Sequence, residues 1–168
     1  MFFRNIFGIS AALAMTASAL PVAPRDLSGS VQIVNNMGQD IYLWSVSDYS
    51  SEMQTLSANG GTYSETWQTN PNGGGISIKM GADTTGASVL QFEYTEVEDL
   101  LYWDMSSINL AKDSPIVSAG FAVTISDASC STVTCAAGDA NCSESYQQPD
   151  DVNTRACGTG AAYTLTLG

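Results

Sequence analysis

Apolar residues recur at every second position through several short stretches of this chain. Val31 and Ile33 are the first, and Ile76, Ile78 and Met80 alternate with Ser77 and Lys79. Leu90, Phe92 and Tyr94 do the same against Gln91 and Glu93, as do Phe121, Val123 and Ile125, and Tyr163, Leu165 and Leu167. A period of two places one set of side chains on one face of a strand, so the chain is built to bury one side of several β-strands. Ile41-Tyr42-Leu43-Trp44 is aromatic and β-branched, as strands prefer. Turn chemistry separates these runs: Asn35-Asn36-Met37-Gly38, Ala58-Asn59-Gly60-Gly61, and Asn70-Pro71-Asn72-Gly73-Gly74-Gly75, the strongest break. Short strands at this spacing predict an all-β sandwich or barrel. One helical turn is predicted, over Ser143–Gln148, stopped by Pro149.

The N-terminus sets the compartment. Arg4, then a short apolar run from Ile6 to Leu20 holding Ala17-Ser18-Ala19, has the parts of a secretory signal peptide. The run is too short to cross a bilayer comfortably and contains Gly, Ser and Thr. Residues 1–19 are therefore expected to be removed, residues 20–30 to form a flexible lead-in, and residues 31–168 to form one extracellular domain. No membrane insertion is expected, and the domain is read as a monomer.

Composition excludes several chemistries. The chain carries 17 Asp and Glu against 5 Lys and Arg, which disfavours nucleic acid and anionic membranes as partners. Histidine is absent, so neither a Ser-His-Asp centre nor a His-containing zinc site can form. Cys130, Cys135, Cys142 and Cys157 lie in the last quarter. Their spacing lacks the close pairs of a four-cysteine zinc site, and export favours two disulfides, for which three pairings are open. Glu93, Glu96, Glu98 and Asp99 lack calcium-loop spacing and read as a solvated face. No metal or cofactor is expected. In the triplet Asn141-Cys142-Ser143 the central cysteine argues against use as a glycosylation site.

Several segments resemble thaumatin-like proteins. Ile33-Val34-Asn35-Asn36 with Ile41-Tyr42-Leu43-Trp44 resembles that family's first hairpin. Gln91-Phe92-Glu93-Tyr94 followed by the run from Tyr102 to Asn109 is similar to its central strands, and the tail from Cys142 through Asp150-Asp151 and Cys157 to Leu167 is similar too. Size, the Tyr42–Val46 stretch and Gln147–Asp151 look most like the small fungal branch, the yeast-phase-specific secreted proteins. The resemblance implies a thaumatin-like β-sandwich with nested disulfides Cys130–Cys157 and Cys135–Cys142. Relatives often tie the first hairpin to the last residue by a further bridge; the matching positions here are Met37 and Gly168, so both halves are missing together.

The resemblance also implies an acidic cleft, with Lys79 in the place of an Arg, Glu93 and Asp104 on two acidic positions, Asn109 replacing a further acid, and Asp150 or Asp151 supplying another. Glycoside hydrolysis needs two carboxyl groups in distinct roles, and only Glu93 as proton donor with Asp104 as nucleophile or base qualifies. Plainer roles compete: Glu93 on the solvent side of a strand, Asp104 capping a turn, Asp150-Asp151 as an acidic loop. Among aromatics that can stack on sugars, Trp44, Trp67, Trp103, Tyr63 and Tyr102, most are expected in the core, with Trp67 exposed because polar residues and Pro71 surround it. The expectation is a secreted, non-catalytic binder of cell-wall polysaccharide of the β-glucan class. The alternatives are a weak endo-β-1,3-glucanase and an effector that binds a host protein.

Overall fold

A computed structural model describes residues 29–168; the expected signal peptide and nearly all of the lead-in lie outside the described residues. Within the described residues, eleven strands form two sheets. The six-stranded sheet runs in the order β10 (Arg155–Gly158), β7 (Leu100–Ser106), β6 (Leu90–Val97), β5 (Ile76–Gly81), β2 (Ile41–Val46), β3 (Gln54–Leu56). The five-stranded sheet runs β4 (Gly61–Thr66), β1 (Ser30–Asn35), β11 (Ala162–Leu167), β8 (Phe121–Ile125), β9 (Val133–Cys135). All pairings are antiparallel except β1 with β11, which run parallel over six residue pairs. The first and last strands are thus neighbours in the middle of one sheet. β1 starts at Ser30, the last residue of the expected lead-in.

The alternation becomes the core. Ile41, Leu43, Ile76, Ile78, Met80, Leu90, Phe92, Leu101, Trp103 and Met105 from one sheet are buried against Val31, Ile33, Val123, Val133, Tyr163, Leu165 and Leu167 from the other. Trp103 stacks on Phe92 at 5.7 Å and meets Tyr163 edge-on at 5.8 Å. Trp67, expected at the surface, is instead packed against the core. Its ring meets Tyr94 at 5.1 Å and Tyr163 at 5.0 Å, and its Nε1 donates to the Thr159 carbonyl at 2.8 Å. The polar neighbours that suggested exposure belong to the loop around it; the ring itself packs against Tyr94 and Tyr163.

A buried carboxylate joins the two layers. Glu65 on β4 is 5% exposed and accepts from Tyr63 Oη and Tyr94 Oη, both at 2.7 Å. Both phenols are held protonated, well above their usual range, by burial first and by bonding to Glu65 second.

The helical turn is elsewhere than predicted. Ser143–Gln148 is not helical: Tyr146 bridges to Ser106, its N–H donating to Met105 O and its carbonyl accepting from Ser107 N, both at 2.8 Å. Backbone groups committed to the end of β7 are not free to close a helix. The one helix among the described residues, α1 (Pro115–Ala119), has Pro at its first position and Ser114 as cap, accepting from Ile116 N at 3.3 Å. Gly120, at φ +79°, ends it.

The cysteines pair as the resemblance implied, Cys130–Cys157 and Cys135–Cys142, with Cα separations of 5.7 and 5.5 Å. The longer one fastens edge strand β10. The missing terminal bridge also has a location. A Cβ placed on Gly168 would lie 3.2 Å from Met37 Cγ, and a main-chain bond from Asn36 N to Leu167 O at 2.9 Å holds the two ends together.

Candidate functional site

The core side of the six-stranded sheet takes one residue of each alternating pair and leaves the other on the outer face. That face carries Ser77 and Lys79 from β5, Gln91, Glu93 and Thr95 from β6, and Tyr102, Asp104 and Ser106 from β7. Register brings the two carboxylates together: Glu93 is directly opposite Asp104 on one side and Ser77 on the other. Asp104 lies within β7, so it does not cap a turn, and Glu93 is half-buried rather than on an open solvent side.

A cleft of about 320 Å³ opens over this pair. Its lining is Gly75, Ile76, Ser77, Glu93, Tyr94, Thr95, Tyr102, Asp104 and Thr154. Gly75 forms a wall where no side chain fits, since a Cβ there would lie 2.9 Å from both Thr95 Oγ1 and Tyr94 O. Tyr102, 43% exposed, offers a ring beside the acids.

Electrostatics differentiates the pair. Burial raises the Asp104 carboxyl most, the adjacent Glu93 raises it further, and Arg155 opposes both; the result is a group pushed up to about 7. Glu93 is raised too, by burial, with the nearby Ser77 hydroxyl and the charge of Lys79 pulling the other way. Burial with a like charge beside it thus suits Asp104 to hold a proton. Asp104 Oδ1 is buried without a hydrogen-bond partner.

Neighbouring residues position the floor. Ser77 Oγ donates to Gln91 Oε1 at 3.2 Å, and Gln91 Nε2 donates to Asn109 Oδ1 at 3.3 Å and Ser106 Oγ at 3.4 Å. Asn109 therefore anchors a polar network beside the cleft and does not line it. Lys79 flanks Glu93 without lining the cleft. Asp150 and Asp151 are also outside the lining: Asp151 Oδ2 accepts from Gln147 N at 2.7 Å and Gln148 N at 2.9 Å, which holds its carboxyl below the usual range and makes it a loop anchor. Thr154, from the same segment, reaches the cleft instead.

Arg155 had no signal in the sequence. Its guanidinium lies 5.5 Å over the Trp103 ring and donates to Asn153 O at 2.7 Å and Glu144 O at 3.2 Å. Only the pairing of β10 with β7, pinned by Cys157 two residues on, brings it near Asp104. Among the described residues the one cluster with metal-ligand spacing is Asp127 with Cys130 and Cys157. Its sulfurs are joined to each other and its carboxylate serves Ser129, so it offers no ligand set.

Residues 18–168 match the family model described as Bys1, Blastomyces yeast-phase-specific protein. The secreted thaumatin-like protein calA of Emericella nidulans is 64% identical over 170 residues, 100% of this chain and 98% of that protein. An antigenic thaumatin-like protein of Arthroderma benhamiae is 38% identical over 153 residues, 90% and 75% of the two chains. The solved structure of the protein elicitor MoHrip2 from Magnaporthe oryzae shares the fold with a TM-score of 0.68 at 24% identity, over 83% of this chain and 98% of that one. The thaumatin-like xylanase inhibitor TLXI does so at 0.51 and 8%, over 81% and 97%. The match spans all the described residues, and the chain belongs to the Blastomyces yeast-phase-specific family as a secreted fungal thaumatin-like protein.

Proposed function

We propose that this protein binds cell-wall polysaccharide of the β-glucan class in the cleft over Glu93 and Asp104, without cleaving it. The observation that carries the proposal is the composition of that cleft. Two carboxyl groups, three hydroxyl side chains (Ser77, Thr95 and Thr154) and the exposed Tyr102 ring surround a space of sugar dimensions. Carboxyl and hydroxyl groups donate to and accept from sugar hydroxyls, and an aromatic face covers the apolar face of a pyranose ring. Directly opposed cross-strand residues have Cβ atoms about 4.5–5.5 Å apart and rise side by side from one floor. Glycosidase carboxylates instead flank the scissile bond from two sides. Placement on one floor favours binding over cleavage.

A second reading, slow endo-β-1,3-glucan hydrolysis, is favoured by one observation: Asp104 holds its proton to about pH 7 beside a second carboxylate, as a general acid does. Co-sedimentation with insoluble β-1,3-glucan, chitin and mannan, with an assay for released reducing ends, tests both readings. Binding to β-1,3-glucan that Tyr102→Ala and Glu93→Gln weaken, with no reducing sugar released over days, is the expected result. Retention on none of the three polymers would overturn the proposal, and sugar release abolished by Asp104→Asn would replace it with the second reading.

A further inference from the structure

The cleft has a feature that a neutral sugar does not use. Its lining contains two acids and no cation, in a chain with 17 acidic and 5 basic residues. The basic residues among those described are Lys79, Lys112 and Arg155. Lys112 is bonded to Ala140 O and Gln147 Oε1, away from the cleft. Arg155 is engaged by Asn153 O, Glu144 O and the Trp103 ring. Lys79 is opposite Gln91, one register step from the pair. Two adjacent carboxyl groups, one with a buried oxygen that has no partner, therefore share a cleft whose compensating charges stand behind or beside it.

Resting on the cleft-binding reading above, we propose that this cleft prefers a β-linked glycan bearing free protonated amines, a polymer of 2-amino-2-deoxyglucose, over a neutral or N-acetylated one. The ammonium group sits between Glu93 and Asp104, and the same sugar's ring lies against Tyr102. The preference follows from charge: an ammonium a few ångströms from the pair draws off the proton that Asp104 holds, and it gains Coulomb energy from the two carboxylates that a hydroxyl or an acetamide does not. Acetylation removes that charge. A lysine-rich peptide supplies charge without the ring that Tyr102 would cover, so it is the weaker candidate.

Isothermal titration with hexasaccharides of glucosamine, N-acetylglucosamine and β-1,3-linked glucose, with oligolysine as a fourth probe, tests this at mildly acidic pH. The expected result is an affinity for the free-amine hexamer at least about tenfold above the other three. That advantage falls with added salt and is lost in Glu93→Gln and in Asp104→Asn, both still folded by thermal unfolding. Equal affinity for the three sugars would overturn the amine preference and leave the cleft reading standing. Binding of no sugar would overturn both. Oligolysine binding as tightly as the amine hexamer would reduce the site to a general acidic surface and overturn the preference as well. Tyr102→Ala is the second variant: it should weaken the sugar and leave oligolysine unchanged, and equal weakening of both would contradict the assigned pose.

Discussion

Glu93 and Asp104 face each other across β6 and β7, the third of seven residue pairs in an antiparallel ladder. A pair of acids in that position is costly unless one of them keeps its proton, and here Asp104 does so up to about pH 7.

The first consequence is a pH dependence of stability. The folded value of Asp104 is about 7 and its ordinary value 3.8, so between these the folded state holds a proton that the unfolded chain has lost. Its contribution is favourable below pH 3.8 and is lost as pH rises through 7. Asp104→Asn, which cannot ionise, should match the wild type at low pH. It should be more stable by about 1–2 kcal/mol above pH 8, after allowance for solvent screening of a half-buried group. Urea unfolding at both pH values checks this; a variant less stable at high pH than at low, relative to wild type, contradicts it.

The bridge between the sheets through Glu65 makes a separate prediction. Tyr94→Phe keeps the ring contacts with Trp67 and Phe92 but removes one of the two hydroxyls that satisfy a buried carboxylate. Hydrogen bonds to charged groups contribute about 1.5–3 kcal/mol, so a loss in that range is expected in denaturant unfolding. A change below about 0.5 kcal/mol would mean that Glu65 finds another partner.

The two disulfides should differ in value. Loop-closure entropy gives about 3.6 kcal/mol for the 27-residue separation of Cys130–Cys157 and about 2.5 kcal/mol for the 7-residue separation of Cys135–Cys142. Serine pairs replacing each in turn should show that order in their unfolding midpoints. Loss of Cys130–Cys157 should also weaken sugar binding, because it frees the strand that carries Arg155.

Met37 and Gly168 stand where a further clasp fits. Met37→Cys combined with Gly168→Cys should oxidise spontaneously and raise stability, by less than the about 2–4 kcal/mol of an unstrained bridge because Gly168 has a φ of +85°. Thiol titration of the double variant under denaturing conditions should find no free thiol; two free thiols would contradict the adjacency.

The sandwich was legible because its signal is local. Period-two runs such as Ile76–Met80 and Leu90–Tyr94 mark both the strand and its buried face, and Asn70–Gly75 marks the break between strands. Glu93 and Asp104 were identified by resemblance, and their meeting is a matter of register, which alternation alone does not set. Short edge elements were harder. β3, β9 and β10, of three or four residues each, carry too few side chains to show a period. The helix was misplaced because an acidic, Ser-rich run after Cys142 looks helical locally, while its backbone groups are taken by β7, far away in sequence. The cap-and-proline pair Ser114-Pro115 was the better signal. Trp67 shows the same limit: polar neighbours describe a loop, and the direction of one ring is set by Tyr94 and Tyr163. Arg155 reaches Asp104 only through a disulfide and a strand pairing, so nothing near it in sequence announces it.

The most direct test of the cleft is amide and side-chain chemical-shift mapping with a soluble β-1,3-glucan oligosaccharide. The account predicts that the largest changes fall on Ser77, Glu93, Thr95, Tyr102, Asp104 and Thr154. Changes centred instead on the separate hollow lined by Met37 and Pro115, or no changes at saturating sugar, would contradict it.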